Sequence, residues 1–134
     1  MSAMKKHPVH PASSPVPAGA YTPGLVAGGF VFVSGQTAEK PGSSELVEGD
    51  VKVQTRQVME NIRGILEAAG CSLDDVVKVT VHLADVRDFD GYNEVYREFF
   101  TVPYPVRTTV QSVIPGGSLV EIDVIALLPE RSDR

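Results

Sequence analysis

Tryptophan is absent from this 134-residue chain, cysteine occurs once, and neither a basic cluster nor a long apolar run is found. Each absence removes a class of function. A lone Cys71 cannot build an intramolecular disulfide framework, which fits a reducing compartment and predicts a cytoplasmic protein. With no apolar run near the ~20 residues that cross a bilayer, no membrane span is expected. The opening stretch MSAMKKHPVHPASS holds two lysines with no apolar segment behind them, so no secretory signal is expected there. The formal net charge is −5, with no patch of Lys or Arg, which argues against nucleic acid or an anionic membrane as partner. The chain also lacks H-E-x-x-H, G-x-S-x-G, paired C-x-x-C and the glycine spacing of a dinucleotide or phosphate loop. His7 and His10 stand three apart, but the neighbouring prolines deny them a helix and no third ligand is near. No metal and no cofactor are therefore expected.

What is present is a composition of 43% hydrophobic and 22% charged residues, that of one globular domain able to bury its own core. Residues 1–15, rich in Pro, Ser and His, read as an extended or mobile lead-in, 16–130 as the domain, and 131–134 as a C-terminal tail. LVAGGFVFVSG carries two β-rich runs joined at Gly28-Gly29, a hairpin signal because both glycines tolerate positive φ. A loop follows, with room for a short strand near Leu46-Val47. Asp50 as N-cap and Gly70 past the end bracket a helix from Val51 to about Ala69, with Val58, Ile62, Ile65, Leu66 and Ala69 on one stripe. SLDD predicts a capped single turn. In VVKVTVHL, Val77, Val79, Val81 and Leu83 alternate with Lys78, Thr80 and His82, the period of a strand. A second amphipathic helix fits DFDGYNEVYREFF and is ended by Pro103 and Pro105. Two last strands, about Arg107–Val113 and Leu119–Leu128, are joined by IPGGS. The order predicts an α+β domain: a single mixed or antiparallel sheet with two helices packed on one face. The other sheet face carries too many apolar residues to stay wet, which predicts an oligomer.

YPVRTTV sets Arg107 among β-branched neighbours on a strand. If the last two strands form a hairpin that pairs odd positions with odd, Arg107, Thr109 and Gln111 share a face with Glu121 and Asp123. Two readings follow from that face. One is a structural ion pair across strands, the commoner arrangement. The other is a guanidinium at the edge of a cleft, gripping an anion that the net charge of the whole chain would repel. Cys71 reads as an inert small residue and His82 as a lone histidine on the wetter strand face.

In their order and spacing, GAYTPG at 19–24, GGFVFVSGQ at 28–36, QTRQVMENIRGILEAAGCSLDDVVKVTVHLADVRDF at 54–89, YNEVYREFF at 92–100, YPVRTTV and VEIDVIA resemble the RidA/YjgF-like family of reactive-intermediate (enamine/imine) deaminases. The likeness runs from about Gly19 to Leu128. It implies the α+β, RidA-like fold shared with trimeric chorismate mutases, and a homotrimer with sites in the clefts between subunits. It also implies cofactor-free hydrolysis of 2-enamino or 2-imino acids to 2-keto acids and ammonia. Residue by residue, Arg107 matches the arginine that holds the substrate carboxylate, and Glu121 the last-strand glutamate that positions water. Tyr21 matches the tyrosine of the family's G-P-Y-S-Q, Ser34 the serine of its S-G-Q, and Asn93 an asparagine of the second helix near the cleft. The resemblance thus implies Arg107, Glu121 and Tyr21 as catalytic residues, with Arg107, Ser34, Asn93 and Thr109 binding substrate. Two departures stand out: G-P-Y-S-Q is here Gly19-Ala20-Tyr21-Thr22-Pro23, and the cysteine often found two residues after the arginine is Thr109.

These residue types suit such chemistry. A planar carboxylate calls for the two-donor clamp of arginine, and attack by water calls for an oriented acceptor such as a glutamate. The competing expectation is a trimer that binds 2-keto or similar carboxylates without turnover, an option that the altered rim at Thr22-Pro23 and Thr109 keeps open. RNA cleavage, also attributed to relatives, is opposed by the acidic net charge.

Overall fold

A computed structural model describes residues 5–129; the first four residues of the expected lead-in and the expected tail at 131–134 lie outside them. Strands β1 (His7–Val9), β2 (Gly24–Ala27), β3 (Phe30–Gln36), β4 (Val76–Leu83), β5 (Val106–Gln111) and β6 (Val120–Leu127) form one sheet in the order β1-β2-β3-β6-β4-β5. Helices α1 (Val51–Ala68) and α2 (Phe89–Arg97) complete the α+β architecture read from the sequence. Gly28 and Gly29, at φ 59° and 85°, turn the chain between β2 and β3, which pair antiparallel as the two-glycine signal predicts. The lead-in contributes a strand that the sequence did not announce. His7–Val9 pairs antiparallel with β2, Val9 is buried, and Pro8 is tolerated because an edge strand leaves one row of backbone groups unpaired.

The long helix α1 forms where the sequence places it. Asp50 accepts a hydrogen bond from the Val53 amide at 3.1 Å, and Gly70 adopts φ 86° just beyond the last turn. Val58, Met59, Ile62, Ile65 and Leu66 are fully buried against the sheet. Two amides on the same helix are buried as well. The Gln54 side chain accepts from the Leu119 amide at 2.8 Å and donates to the Val47 carbonyl at 3.1 Å. Asn61 donates to the Glu39 carbonyl at 3.0 Å. They fasten the loop after β3, and the start of β6, to a rigid helix. The short strand expected near Leu46-Val47 is reduced to a single bridge, Glu39 to Leu46.

The expected hairpin of the last two strands does not form. Helix α2 lies between β4 and β5 as a crossover, so β5 returns parallel to β4, with Val79 beside Arg107 and Leu83 beside Gln111. Strand β6 then takes the other edge of β4 and runs antiparallel between β4 and β3. The pairings Val79–Val124 and Val81–Ile122 put Arg107 and Thr109 on the helix-covered face, while His82–Glu121 and Thr80–Asp123 put the two carboxylates on the opposite one. Arg107 and Glu121 therefore do not share a face. That opposite face carries Phe30, Phe32, Val110 and Leu127, each at least 38% exposed, the apolar excess that the sequence predicts.

At Gly24 the side chain of Ile65 on α1 packs directly against the β2 backbone. A Cβ there would lie 2.8 Å from Ile65 Cγ2 and 3.3 Å from Val9 Cβ. Gly24→Ala is expected to destabilise the fold by about 1–3 kcal/mol through overpacking, read as a lower urea midpoint with an unchanged slope. An unaltered midpoint would contradict this packing.

Candidate active site

Arg107 is half-buried and lies under the inner face of α2. Its Nη1 donates to Asn93 Oδ1 at 2.8 Å. Its guanidinium carbon stands 4.6 Å from the ring centre of Tyr96, 5.4 Å from Tyr92 and 5.6 Å from Phe89. Three aromatic faces and a neutral amide hold the cation in place, each ring contact worth roughly 0.5–2 kcal/mol. Among the described residues no carboxylate pairs with it, so the cross-strand ion pair open from sequence is not made. Guanidinium has five N–H donors, and Asn93 takes one of them. Asn93, Tyr96 and Arg97, spaced i, i+3, i+4 on α2, line a cleft of about 370 Å³ together with Tyr104, Pro105 and Arg107.

Thr109 sits two residues further along β5, on the same face as Arg107. Its hydroxyl lies 2.7 Å from the Tyr92 hydroxyl, so it braces one of the rings that hold Arg107 and does not line the cleft. Burial raises the Tyr92 phenol above its ordinary value against the opposing pull of Thr109 and Arg107. Tyr96 is pushed up to about 12 by burial, with the Arg107 charge opposing. Both rings are neutral at physiological pH. The Tyr96 hydroxyl is buried and has no partner among the described residues.

Tyr21, Ser34 and Glu121 gather elsewhere, around a depression of about 440 Å³ that Gly35 and Pro115 also line. The Ser34 hydroxyl donates to the Thr22 carbonyl at 2.6 Å and its amide to the Pro23 carbonyl at 2.9 Å, which pins the segment carrying Tyr21. Tyr21 is 48% exposed. Glu121 is half-buried and makes no hydrogen bond or ion pair with a described residue. Gly35 is the residue that sequence reasoning missed. It lies where the register between β3 and β6 shifts, and a Cβ on it would collide with the Glu121 carboxylate. The available signal was a glycine inside an otherwise apolar strand, which marks a bulge or a close approach.

The structure thus gathers the expected site residues into two separate groups, two candidate half-sites. Arg107 and Asn93 form one, Tyr21, Ser34 and Glu121 the other. On the shared register of β4, Arg107 is level with Val79 and Glu121 with His82, on strands that flank β4 on either side. Standard strand dimensions then separate their backbones by roughly 14 Å, with the side chains on opposite faces. Among the described residues no group of His, Cys, Asp or Glu is arranged to hold a metal ion, and no helix is long and apolar enough to cross a membrane. Cys71 is buried with its sulfur 3.6 Å from the Leu127 carbonyl, and burial, then Asp75, raises its thiol pKa. On the outer face His82 Nδ1 lies 3.0 Å from the Ser112 hydroxyl, and burial raises the Asp123 carboxyl despite His82 and Lys78.

A family model described as endoribonuclease L-PSP matches residues 11–128. A RutC family protein of Pyrococcus horikoshii is 48% identical over 122 residues, covering 90% of this chain and 97% of its own. The human 2-iminobutanoate/2-iminopropanoate deaminase is 36% identical over 128 residues, covering 95% of this chain and 93% of its own. Among solved structures, RidA from a Psychrobacter species superimposes with a TM-score of 0.86 at 42% identity, over 90% of this chain and 98% of that one.

Because the folded-state pKa of Tyr96, about 12, lies above the ordinary tyrosine value, the folded chain keeps a proton that the unfolded chain loses. The stability this contributes is complete below about pH 10 and is lost as pH rises through about 12. The fall in unfolding temperature between about pH 9 and pH 11.5 is therefore expected to be smaller in Tyr96→Phe than in the unmodified protein. Equal falls would contradict the burial of that hydroxyl.

Proposed function

The chain belongs to the RidA/YjgF family, and from that premise we propose that it is a cofactor-free deaminase of reactive 2-imino and 2-enamino acids. The observation that carries the reading is Arg107: a cation fixed by aromatic faces and one amide, with donors left over and no carboxylate among the described residues neutralising it. A substrate carboxylate supplies the missing partner, through charge-assisted hydrogen bonds worth about 1.5–3 kcal/mol. An enamine first takes a proton at C3 and gives one up from nitrogen, becoming the imine. Water then adds through oxygen to C2, the C2–N bond breaks, and ammonia leaves as the C2 carbonyl forms. The step is a hydrolysis with no change of oxidation state. Glu121 accepts the two protons of the water in turn, one as it adds and one as the carbonyl forms, and passes each to the departing nitrogen. Tyr21, on its pinned segment, covers the substrate.

The two half-sites meet only between chains. The Arg107 cleft opens beside edge strand β5, while the Glu121 depression lies on the opposite face next to exposed apolar surface. A homotrimer with a head-to-tail interface brings the cleft of one copy to the depression of the next and covers that surface in three equivalent places. Neither nucleic acid nor membrane enters this reading. Three of the five described arginines are paired with carboxylates, and the net charge of −5 offers a phosphate backbone little to hold. Hydrolysis of short-lived metabolic imines suits a cytoplasmic protein.

The test generates imines in situ with an amino-acid oxidase and follows keto acid and ammonia. Arg107→Lys is expected to lower kcat/KM roughly 10- to 100-fold, and Glu121→Gln to lower kcat roughly 100-fold or more. No acceleration over buffer by the folded protein would end the deaminase reading. Binding of 2-ketobutyrate that is lost in Arg107→Ala, without any turnover, would leave the carboxylate-binding alternative in its place.

The composite site has its own signature. Arg107→Ala and Glu121→Gln chains are each inactive, yet on co-refolding about a quarter of the sites between chains pair an intact arginine with an intact glutamate. Roughly a quarter of the unmodified activity is therefore expected to return, whereas a site built within one chain would recover none.

A further inference from the structure

We infer that the substrate of this cleft carries a second carboxylate, and that Arg97 holds it: the ligand is the imine counterpart of an acidic, dicarboxylic amino acid. The inference rests on the deaminase reading of the same site and specifies its substrate class. Five arginines lie among the described residues. Arg56 pairs with Glu98 at 2.9 Å, Arg63 with Glu60 at 3.0 Å and Arg87 with Asp85 at 2.7 Å. The two without a carboxylate partner among those residues, Arg97 and Arg107, line one cleft. In a chain with more carboxylates than cations this juxtaposition is not the low-energy default, because two guanidiniums repel while acids elsewhere on the surface could have neutralised either.

Their roles differ by position. Arg107 is half-buried and held rigidly by Asn93 and three rings, a fixed anchor for the carboxylate beside the reacting carbon. Arg97 is exposed in the last turn of α2, one turn from Asn93, and lines the same cleft. A monocarboxylic imine satisfies only the first. The cleft, at about 370 Å³, falls in the range of small-molecule sites, roughly 300–1000 Å³, and admits a side chain that ends in a second acid. As a lone positive charge near a helix C-terminus Arg97 also gains some stability from the macrodipole, but such a role does not discriminate between substrates.

The experiment compares kcat/KM for imines formed in situ from acidic amino acids with those from alanine-type amino acids, in the unmodified protein and in Arg97→Ala, Arg97→Lys and Lys40→Ala. Lys40 pairs with Glu45 and does not line the cleft, so its loss controls for overall charge. The unmodified protein is expected to favour the diacid by about tenfold or more, Arg97→Ala to erase that ratio, Arg97→Lys to restore part of it, and Lys40→Ala to leave it unchanged. A ratio that Arg97→Ala does not move, or a preference for the monoacid in the unmodified protein, overturns the inference. Calorimetry with oxaloacetate and pyruvate separates the two claims. If no imine is turned over but an Arg97-dependent preference for the dicarboxylate persists in binding, the deaminase reading falls and the second-carboxylate subsite stands. If turnover is seen and neither assay shows that preference, the subsite falls alone.

Discussion

Strand β4 is paired along both edges, parallel to β5 and antiparallel to β6, and this double pairing governs where every polar group of interest lies. Strands expose alternate residues to opposite faces, so a one-residue change in either register would exchange the core and surface sets together. The observed registers place Val79, Val81, Ile122 and Val124 under the helices, and with them Arg107 and Thr109. The same registers turn Glu121, Asp123 and His82 to the far side. One constraint, satisfied for the sake of the hydrophobic core, therefore divides the candidate site residues between two faces of the sheet.

How a cation comes to lie beneath a helix follows from what surrounds it. Phe89, Tyr92 and Tyr96 lie along one side of α2 and offer ring faces to the guanidinium, while Asn93 supplies one accepting oxygen. Aromatic faces compensate part of the desolvation without neutralising the charge, as a carboxylate would. The cation thus stays available to an incoming anion. Thr109, on the same face as Arg107, has its hydroxyl against that of Tyr92 and so braces one of these rings. On the other half-site, Gly35 has no side chain because the Glu121 carboxylate occupies that space, and the Ser34 hydroxyl spends its hydrogen on the Tyr21 segment.

Much of this was legible before any coordinates. Glycine pairs at turns, the Asp50 cap, the apolar stripe of α1 and the alternation along β4 are local signals, since each depends on residues within a few positions of one another. The pairing of the last two strands, for which a hairpin was one option, was not legible. Nothing local distinguishes a strand that returns on its predecessor from one that crosses over a helix, because the choice rests on which edge of β4 is open once α2 has packed. The strand at His7–Val9 was missed for a related reason: its prolines and exposed histidines read as a lead-in, and only the neighbouring edge of β2 makes it pay off as a strand.

By itself the sequence determined the element types, the two-helix α+β class, the buried stripe and the residue kinds suited to carboxylate chemistry, because propensity, periodicity and functional-group type belong to the residues themselves. Only the tertiary structure decided that Arg107 and Glu121 face opposite ways, that Thr109 supports a ring, that Gly35 makes room for a carboxylate and that Arg97 shares a cleft with Arg107. Those outcomes depend on strand order and register, which are set by the packing of distant segments against one core.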